Sequence, residues 1–362
     1  MDDRQPREKG FQVDDLVFYY PQGHESHFQQ GHPERPERVE AIREALTTAG
    51  LWQKYPCIDP IPLPRNVLES IHAPSLLAKC EQISKSGGLY DMDTYLTPST
   101  WDLSQESAGG AVAVAQAVWE GSARSGFALT RPPGHHATPS QAMGFCLLNN
   151  VALAAEYLLQ ATTVEKLAIV DLDLHHGNGT QDIFYRRGDV FFISTHQSPL
   201  YPGTGDLWET GEGPGEMATA NFPLPPFSGD LAFKTVMEEL ILPLLDKKSP
   251  QMLLVSYGFD PHFRDPLGNL LLSAPGYRDL IADLVGWAGT HCGGRIALFL
   301  EGGYDLSAAR ACSLAVVSAL LDIPWEDIVG FVDKDAAGPS LSRESTAWQP
   351  MVRRARELWG LA

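Results

Sequence analysis

An apolar run through Ile169 and Val170 ends by delivering Asp171, Asp173, His175 and His176 in close succession, with Gly177 and Gly179 directly behind them. Side chains alternate between the faces of a strand, so Asp171, Asp173 and His175 are expected to share one side. Carboxylate oxygens together with an imidazole nitrogen form a donor set suited to Zn2+ or a similar divalent ion. A lone Asp or His at a strand end is ordinarily a polar residue satisfied by its neighbours. A cluster this dense is different, because buried ionised groups require a partner or a metal.

Three other clusters have the same form. Arg131-Pro132-Pro133-Gly134-His135-His136 follows Phe127-Ala128-Leu129, Tyr257-Gly258-Phe259-Asp260 follows Met252-Leu253-Leu254-Val255, and Glu301-Gly302-Gly303-Tyr304 follows Ile296-Ala297-Leu298-Phe299. Each puts chemically capable side chains just past the end of a buried-strand pattern, the edge at which open parallel α/β sheets bind ligands. Converged, they give a metal set of Asp173, His175 and Asp260, a histidine pair and a tyrosine. One imidazole and two carboxylates leave an open coordination position for water and substrate, which a catalytic metal needs. A metal does not by itself supply both acid and base, and His135 and His136 titrate in the right range to do so. Tyr304 follows two glycines that let the backbone bend beside a ligand, and its phenol can donate to a developing oxyanion.

Alternating strands and helices must position these groups. Strand patterns fall near residues 16–20, 126–130, 167–172, 190–194, 252–257 and 296–300. Helix patterns fall at 36–47, 103–119, 150–160, 230–245, 274–288 and 305–321, with a packing helix at 346–358. In the stretch 305–321, Leu314, Val317 and Leu321 keep the 3–4 spacing of a face packed on a sheet. Ser228 or Asp230 is expected to cap the helix that begins near 230. The alternation predicts a single three-layer α/β/α domain whose mostly parallel sheet is covered on both faces. No composition shift marks a second domain in 1–362, so the chain reads as one domain, with a core at about 14–322 and a C-terminal packing segment at about 323–362.

Composition narrows the setting. Residues 1–9 lack the apolar stretch of a signal peptide, and no run approaches transmembrane length, so no membrane role is expected. Cys57, Cys80, Cys146, Cys292 and Cys312 show no CxxC spacing and read as free, mostly buried thiols in a reducing compartment, which predicts a cytoplasmic location. A formal net charge of -18, from 45 acidic and 27 basic residues, argues against nucleic-acid binding. It is compatible with cationic substrates such as lysine-rich peptides or polyamines, although solubility alone accounts for an acidic surface.

The motifs RPPGHHA (131–137), GFCLLNNVALAA (144–155), DLDLHHGNGTQDIF (171–184), STHQ (194–197), YPGTGD (201–206), GFDPHFRDPLG (258–268) and EGGYD (301–305) together resemble the histone deacetylase / acetylpolyamine amidohydrolase / acetoin-utilisation family, which has the arginase-like fold. The resemblance runs from about Val17 to about Leu320. Asn178, Leu267 and Glu301 read more like class II and bacterial histone-deacetylase-like amidohydrolases than class I. The resemblance implies an eight-stranded, mostly parallel sheet and assigns the metal to the same Asp173, His175 and Asp260. It implies that His136 is general base and acid, that His135 hydrogen-bonds Asp171 and acts electrostatically, and that Tyr304 polarises the acyl carbonyl with the metal. His136 would be partnered by Asn178, where class I members carry Asp. A neutral amide raises an imidazole pKa less than a carboxylate does, so His136 is expected to be neutral and base-competent near pH 7. His176 is expected to be structural. Phe145 and Tyr201 match the aromatic pair that walls the family's narrow acyl-lysine tunnel, with Gly144 and Gly303 beside them and Leu267 at the rim. Asp102 falls near the family's rim carboxylate, and Arg35 matches either an internal acetate-release channel or a surface helix start. Structural K+ is also implied, at one site by Asp171, Asp173, His175, Ser194 and Thr195 and at a second by Phe184, Arg187 and Val190, mostly through main-chain carbonyls.

These readings imply a Zn2+-dependent amidohydrolase that removes acetyl or other short acyl groups from acylated lysine in peptides or proteins, with Fe2+ or Co2+ open to the same donors. Leu267 cannot pair with a substrate ammonium as an acidic gatekeeper in polyamine-selective relatives can. That tilts the expectation away from acetylpolyamines and other small acylated amines, which stay as the alternative. A binuclear arginase-like ureohydrolase needs a further carboxylate two residues after His175, where Gly177 stands. A non-catalytic acyl-lysine binder would lack His136, Tyr304 or a metal ligand, and none is missing.

Overall fold

In the computed structural model, which describes residues 13–324 and 344–361, the apolar runs become a sheet in which every pairing is parallel. The strands are β1 (Asp14–Tyr19), a two-residue antiparallel pair β2 (Gly88–Leu89) and β3 (Tyr95–Leu96) set apart from the main sheet, β4 (Ala123–Ala128), β5 (Leu167–Asp171), β6 (Val190–Gln197), β7 (Thr219–Leu224), β8 (Leu253–Tyr257) and β9 (Ile296–Leu300). The helices are α1 (Glu37–Thr48), α2 (Arg65–Glu69), α3 (Pro74–Ser86), α4 (Thr100–Trp119), α5 (Asn150–Ala161), α6 (Asn178–Phe184), α7 (Asp230–Val236), α8 (Leu242–Lys248), α9 (Ala274–His291), α10 (Leu306–Leu320) and α11 (Gln349–Trp359). Residues 1–9, read above for a leader, and 325–343 of the C-terminal segment lie outside the described residues.

The main sheet has seven strands, in the order β1-β4-β9-β8-β5-β6-β7, where eight were expected. The edge beside β1 explains the difference. Residues 56–58 run parallel to it, with Phe18 N–H donating to Pro56 O and Ile58 N–H to Phe18 O, but only the Phe18–Cys57 bridge forms. Pro56, Pro60 and Pro62 have no N–H to extend a ladder, so the segment stops short of a strand.

Strand periodicity separates two cores. Ala168 and Val170 of β5, Leu253 and Val255 of β8, and Leu298 and Leu300 of β9 face one layer with α1, α7, α9, α10 and α11. Leu167, Ile169, Leu254, Ala297 and Phe299 face the other, with α4 and α5. Both faces are covered, which is why the strands read as continuous apolar runs rather than alternating ones. The expected stripe on α10 is instead an almost wholly buried helix, with Leu314, Val316, Val317 and Leu320 in the core and Leu321 partly buried against it. The C-terminal helix joins the first core through Val352, Ala355 and Trp359.

The strand order also opens a crevice. β5 continues to its neighbour β6 on one side, whereas β8 continues to β9 on the other. Connections that leave adjacent strands in opposite directions create the switch point where ligands of such sheets bind. The carboxyl ends of β5 and β8 carry the Asp-x-His and Phe-Asp motifs.

The helix beginning at α7 is not capped by Ser228 or Asp230. Ser228 Oγ donates to Pro225 O, and Asp230 accepts from Ser273 N and Oγ, tying α7 to the start of α9. Glu344 supplies the cap, its carboxylate accepting from the N–H groups of Gly229 (3.0 Å), Leu231 (3.3 Å) and Ala232 (2.8 Å). A carboxylate there satisfies orphan donors and complements the helix dipole. Glu344→Ala is expected to lower stability by about 1–2 kcal/mol, read as a lower urea midpoint at unchanged m-value and unchanged turnover.

Candidate active site

The chain leaving β5 curls so that backbone N–H groups hold the carboxylates it has just delivered. Asp173 N–H donates to Asp171 Oδ1 (3.1 Å), His175 N–H to Asp173 Oδ1 (2.9 Å), Leu174 N–H to Asp260 Oδ1 (3.2 Å) and Gly302 N–H to Asp173 Oδ2 (2.8 Å). Asp173, His175 and Asp260 are thereby brought together, with one ligand atom from each within 4.8 Å of the others. His175 Nδ1 lies 3.3 Å from Asp173 Oδ1 and 3.2 Å from Asp260 Oδ2. Ligands at about 2.0–2.1 Å from a tetrahedral ion are separated by about 3.3 Å, so this spacing suits a small divalent metal. Asp260 Oδ2 is buried and faces only the His175 ring, which leaves a lone pair for such an ion. Two glycines make the room: a Cβ on Gly258 would stand 2.0 Å from Asp173 Oδ2 and 2.4 Å from Asp260 Oδ1, and one on Gly302 2.2 Å from Asp260 Oδ2. Burial and the Asp173 charge push Asp260 up to about 6, while hydrogen bonding to both carboxylates overrides burial and pushes His175 up to about 9. A divalent cation would relieve this crowding of negative charge.

The histidine pair sits beside the triad. His135 Nδ1–H donates to Asp171 Oδ2 (3.0 Å), and the charges of Asp173 and Asp171 outweigh burial to push His135 up to about 10. His136 Nδ1–H donates to Asn178 Oδ1 (2.7 Å), while Asn178 Nδ2 is turned toward Met143 Sδ. Burial, then the positive charges of His135 and His175, hold His136 well below the usual imidazole range. The surroundings thus favour the charged form of His135 and the neutral form of His136. His176 points elsewhere, to Thr204 Oγ1 (2.8 Å) and Gln181 Oε1 (3.0 Å), in keeping with a structural role.

A cavity of about 220 Å³ opens over these groups. Gly144, Phe145, Tyr201, Leu267 and Tyr304 line it with both histidines of the pair, as do Pro133 and Gly302 of the motifs and Asp93 and Leu200, which lie outside them. Gly144 and Phe145 form a tight turn, closed by hydrogen bonds between Met143 and Cys146, with φ of 54° and 70°. That conformation is unusual for an aromatic residue and marks a constrained position at a site. A Cβ on Gly144 would lie 2.5 Å from the His136 ring and 3.0 Å from Tyr201, so a side chain there would close the cavity. The Tyr304 main chain is fixed by Asp265 Oδ2, which accepts its N–H (2.7 Å), and Gly303 makes the approach possible with φ 110°. Burial pushes the Tyr304 phenol well above its ordinary range, so it stays a hydrogen-bond donor.

One expectation is corrected, and of the two alternatives for Arg35 the helix start fits. Asp102 lies in α4 along a separate groove with Pro60, Ile61 and Glu106, and the carboxylate at the cavity is Asp93. Arg35 is only half-buried, whereas Arg38 is fully buried, donates to Glu301 O and Gly303 O, and stacks 4.8 Å over the Tyr304 ring. Of the residues expected at monovalent ions, Asp171 and Ser194 are paired across β5 and β6, and Thr195 Oγ1 is buried with no partner. Phe184 O accepts from Arg187 N–H (2.9 Å) just before Val190 opens β6.

A buried carboxylate–imidazole triad at the switch point of a parallel sheet, beside a histidine pair and a tyrosine that line one cavity, is an arrangement suited to a hydrolase. The family model described as the histone deacetylase domain matches residues 32–320, and the chain belongs to that family. It is 41% identical over 292 residues to a "Probable deacetylase" of Archaeoglobus fulgidus, covering 80% of this chain and 81% of that one. It is 35% identical over 322 residues to the "Histone deacetylase-like amidohydrolase" of Pseudomonas aeruginosa, covering 87% and 85%. The crystal structure of the HDA15 HD domain superposes with a TM-score of 0.84 at 32% identity, over 95% of this chain and 94% of that one. The protein is thus a hydrolase acting on amides, of the deacetylase type.

The glycine cradle has a direct test. Gly258→Ala is expected to weaken divalent-metal binding by about 10- to 100-fold, measured by chelator competition on the folded protein.

Proposed function

We propose that the protein is a Zn2+-dependent deacylase that removes acetyl or other short acyl groups from acylated lysine side chains. The observation that carries this reading is the cavity lined by Phe145 and Tyr201 that reaches His175 of the Asp173–His175–Asp260 triad together with His136 and Tyr304. When bound to that triad, Zn2+ supplies Lewis acidity to the acyl carbonyl and to the attacking water; Fe2+ and Co2+ suit the same donors.

The side chains divide the remaining work. His136, with its Nδ1–H committed to Asn178, offers the Nε2 lone pair to the water and takes its proton. Cationic His135, held by Asp171, adds positive charge beside the reacting centre. The Tyr304 phenol donates to the oxyanion as the water oxygen bonds to the acyl carbon. His136 then returns the proton to the amine nitrogen, the C–N bond breaks, and a carboxylate and a free amine leave. Phe145 and Tyr201 enclose the slender alkyl chain, with Gly144 and Gly303 keeping the passage open and Leu267 at the rim.

Structural K+ is part of the same reading. The partnerless Thr195 Oγ1 supports an ion held with Asp171, Asp173, His175 and Ser194, mostly through main-chain carbonyls. A second ion at Phe184, Arg187 and Val190 rests on the resemblance alone. We read 1–362 as one catalytic domain acting in the cytoplasm, a reducing setting that suits its five free cysteines. No helix among the described residues is long and apolar enough to cross a membrane. Asp93 at the cavity mouth favours a second reading, small acylated amines such as acetylpolyamines, because a carboxylate there can meet a substrate ammonium.

Turnover of an acetyl-lysine peptide and of N-acetylated polyamines, each with and without chelator, separates the two readings. Peptide hydrolysis that chelator abolishes is expected, with Tyr304→Phe lowering kcat by about 10²–10³-fold. A preference for polyamines would replace the first reading with the second, and hydrolysis unaffected by chelator would end both. The His136 assignment is tested by pH: Asn178→Asp should raise the pKa of His136 and move the acid limb of kcat/KM upward by about one unit. An unmoved limb would remove His136 from the role of base.

A further inference from the structure

Glu301 is fully buried at the carboxyl end of β9, yet it neither lines the cavity nor belongs to the triad. Its Oε2 accepts two backbone N–H groups from another loop, those of Gly134 (2.6 Å) and His135 (3.0 Å). Its Oε1 accepts from Ser256 Oγ of β8 (3.3 Å). Its own main chain is anchored, since its N–H donates to Tyr257 O (2.9 Å) and its carbonyl accepts from Arg38. The carboxylate therefore reaches from a fixed strand end across to the loop after β4, on the one stretch that carries both histidines.

That loop is gripped from its other sides too. A Cβ on Gly134 would stand 2.5 Å from Asn150 N and 2.8 Å from Leu148 O, so the loop presses directly on the start of α5. Asn150 Nδ2 donates to Pro132 O (3.1 Å), and the N–H groups of Gly179 and Thr180 donate to His135 O (3.0 and 3.1 Å). With the His135 carbonyl held by the start of α6, its N–H is the complementary handle, and Glu301 holds it. Lose the carboxylate, and two buried N–H groups have no acceptor, an unfavourable state that the loop would relieve by shifting. A shift there moves the His135 and His136 rings against Asp173, His175 and Asp260, which belong to other strands.

We propose that Glu301 is a positioning residue for the amide hydrolysis, fixing the backbone that presents His135 and His136 to the metal triad. The proposal rests on the reading of those histidines as the pair that handles charge and proton. The role assigned here is that of an acceptor for the two N–H groups, which an amide oxygen can fill as a carboxylate does. Glu301→Gln keeps an oxygen for both N–H groups and turns its amide toward Ser256 Oγ, which can accept. Glu301→Ala and the nearly isosteric Glu301→Met offer no acceptor.

The test compares these variants in the full-length, metal-loaded enzyme. In Glu301→Ala and Glu301→Met the amides of Gly134 and His135 should lose protection from hydrogen exchange while those of β5 and β8 keep it. kcat should fall by about 10- to 100-fold with KM within about twofold, since misplacement of this size acts on the reacting geometry rather than on binding. Metal content should be unchanged. Glu301→Gln should restore both protection and turnover to within about fivefold of wild type. Should Glu301→Ala fail to fold, the comparison of Met with Gln, which share volume, decides. Unchanged exchange at Gly134 and His135 in Glu301→Met, or Glu301→Gln as impaired as Glu301→Met, would overturn the proposal. If wild type turns over neither acyl-lysine peptide nor acylated polyamine, the proposed substrate reading fails, and the exchange data alone judge Glu301.

Discussion

The structure is organised around a concentration of buried negative charge. Asp171, Asp173, Asp260 and Glu301 are each at most 1% exposed, and all lie at the carboxyl ends of three adjacent strands, β9, β8 and β5. Carboxylates in such a place are tolerated only with donors or cations to meet them. The chain meets them with backbone N–H groups after each strand and with His135 and His175, and the proposed metal would complete the balance. This requirement reaches into the sequence as glycine. Gly177, Gly258 and Gly302 each stand where a Cβ would fall within 2.2 Å of an Asp carboxylate oxygen. The loops close over the charges because these positions have no side chain.

A second buried charge cluster lies beneath the first. Glu34 accepts from Arg131 Nε (2.8 Å) and Nη2 (3.0 Å) and from Arg38 Nη1 (3.1 Å), and these arginines hold it well below the usual carboxylate range against the cost of burial. Arg38 passes the connection on to the carbonyls of Glu301 and Gly303, and Arg131 to those of His24 and His27. Such a hub adds little net stability over a well-packed apolar one, but removing one member strands the others, so it favours a single arrangement. The arrangement it selects fixes the glycine pair ahead of Tyr304 and the start of the loop that carries His135 and His136. Two cavity walls on different strands are thereby referred to one buried carboxylate.

The parts of this that could be read in the sequence share a physical origin. A strand buried on both faces is a continuous apolar run, and the polar residue that ends it marks the sheet edge, so Asp173, His175, Asp260, His135 and Tyr304 stood out. β7 did not, because Asn221 and Pro223 interrupt its run, and α3 and α6 were too short or too weakly patterned to declare themselves. Arg35 drew attention over Arg38, although helical spacing gave the answer: Arg38, Ile42 and Ala45 lie on the buried face of α1, while Arg35 precedes the helix. Glu344 as the cap of α7 was beyond local reasoning, since the bond spans more than a hundred residues of sequence. Asp93 and Leu200 were hidden for the same reason. No local period marks a loop residue that only the tertiary fold carries to a cavity.

Asp93 also shows why the mouth of the cavity and its wall act together. Asp91 Oδ1 accepts the N–H groups of Asp93 (3.1 Å) and Thr94 (2.8 Å), and Thr94 Oγ1 in turn accepts the N–H of Phe145 (3.2 Å). The Asp93 carbonyl accepts from His32 Nε2 (3.0 Å), and His32 packs edge-on against the Phe145 ring at 4.7 Å. Burial and the neighbouring Asp91 charge raise the pKa of Asp93, so this carboxyl is ready to be met by a cation. A cation at the mouth would meet Asp91 and Asp93, and both are bonded to Thr94, whose Oγ1 holds the Phe145 N–H. A neutral rim built from Leu267 alone would leave the alkyl passage indifferent to charge outside it. On the reading proposed above, the charge a substrate carries beyond its acyl amide would bear on how its alkyl chain is gripped.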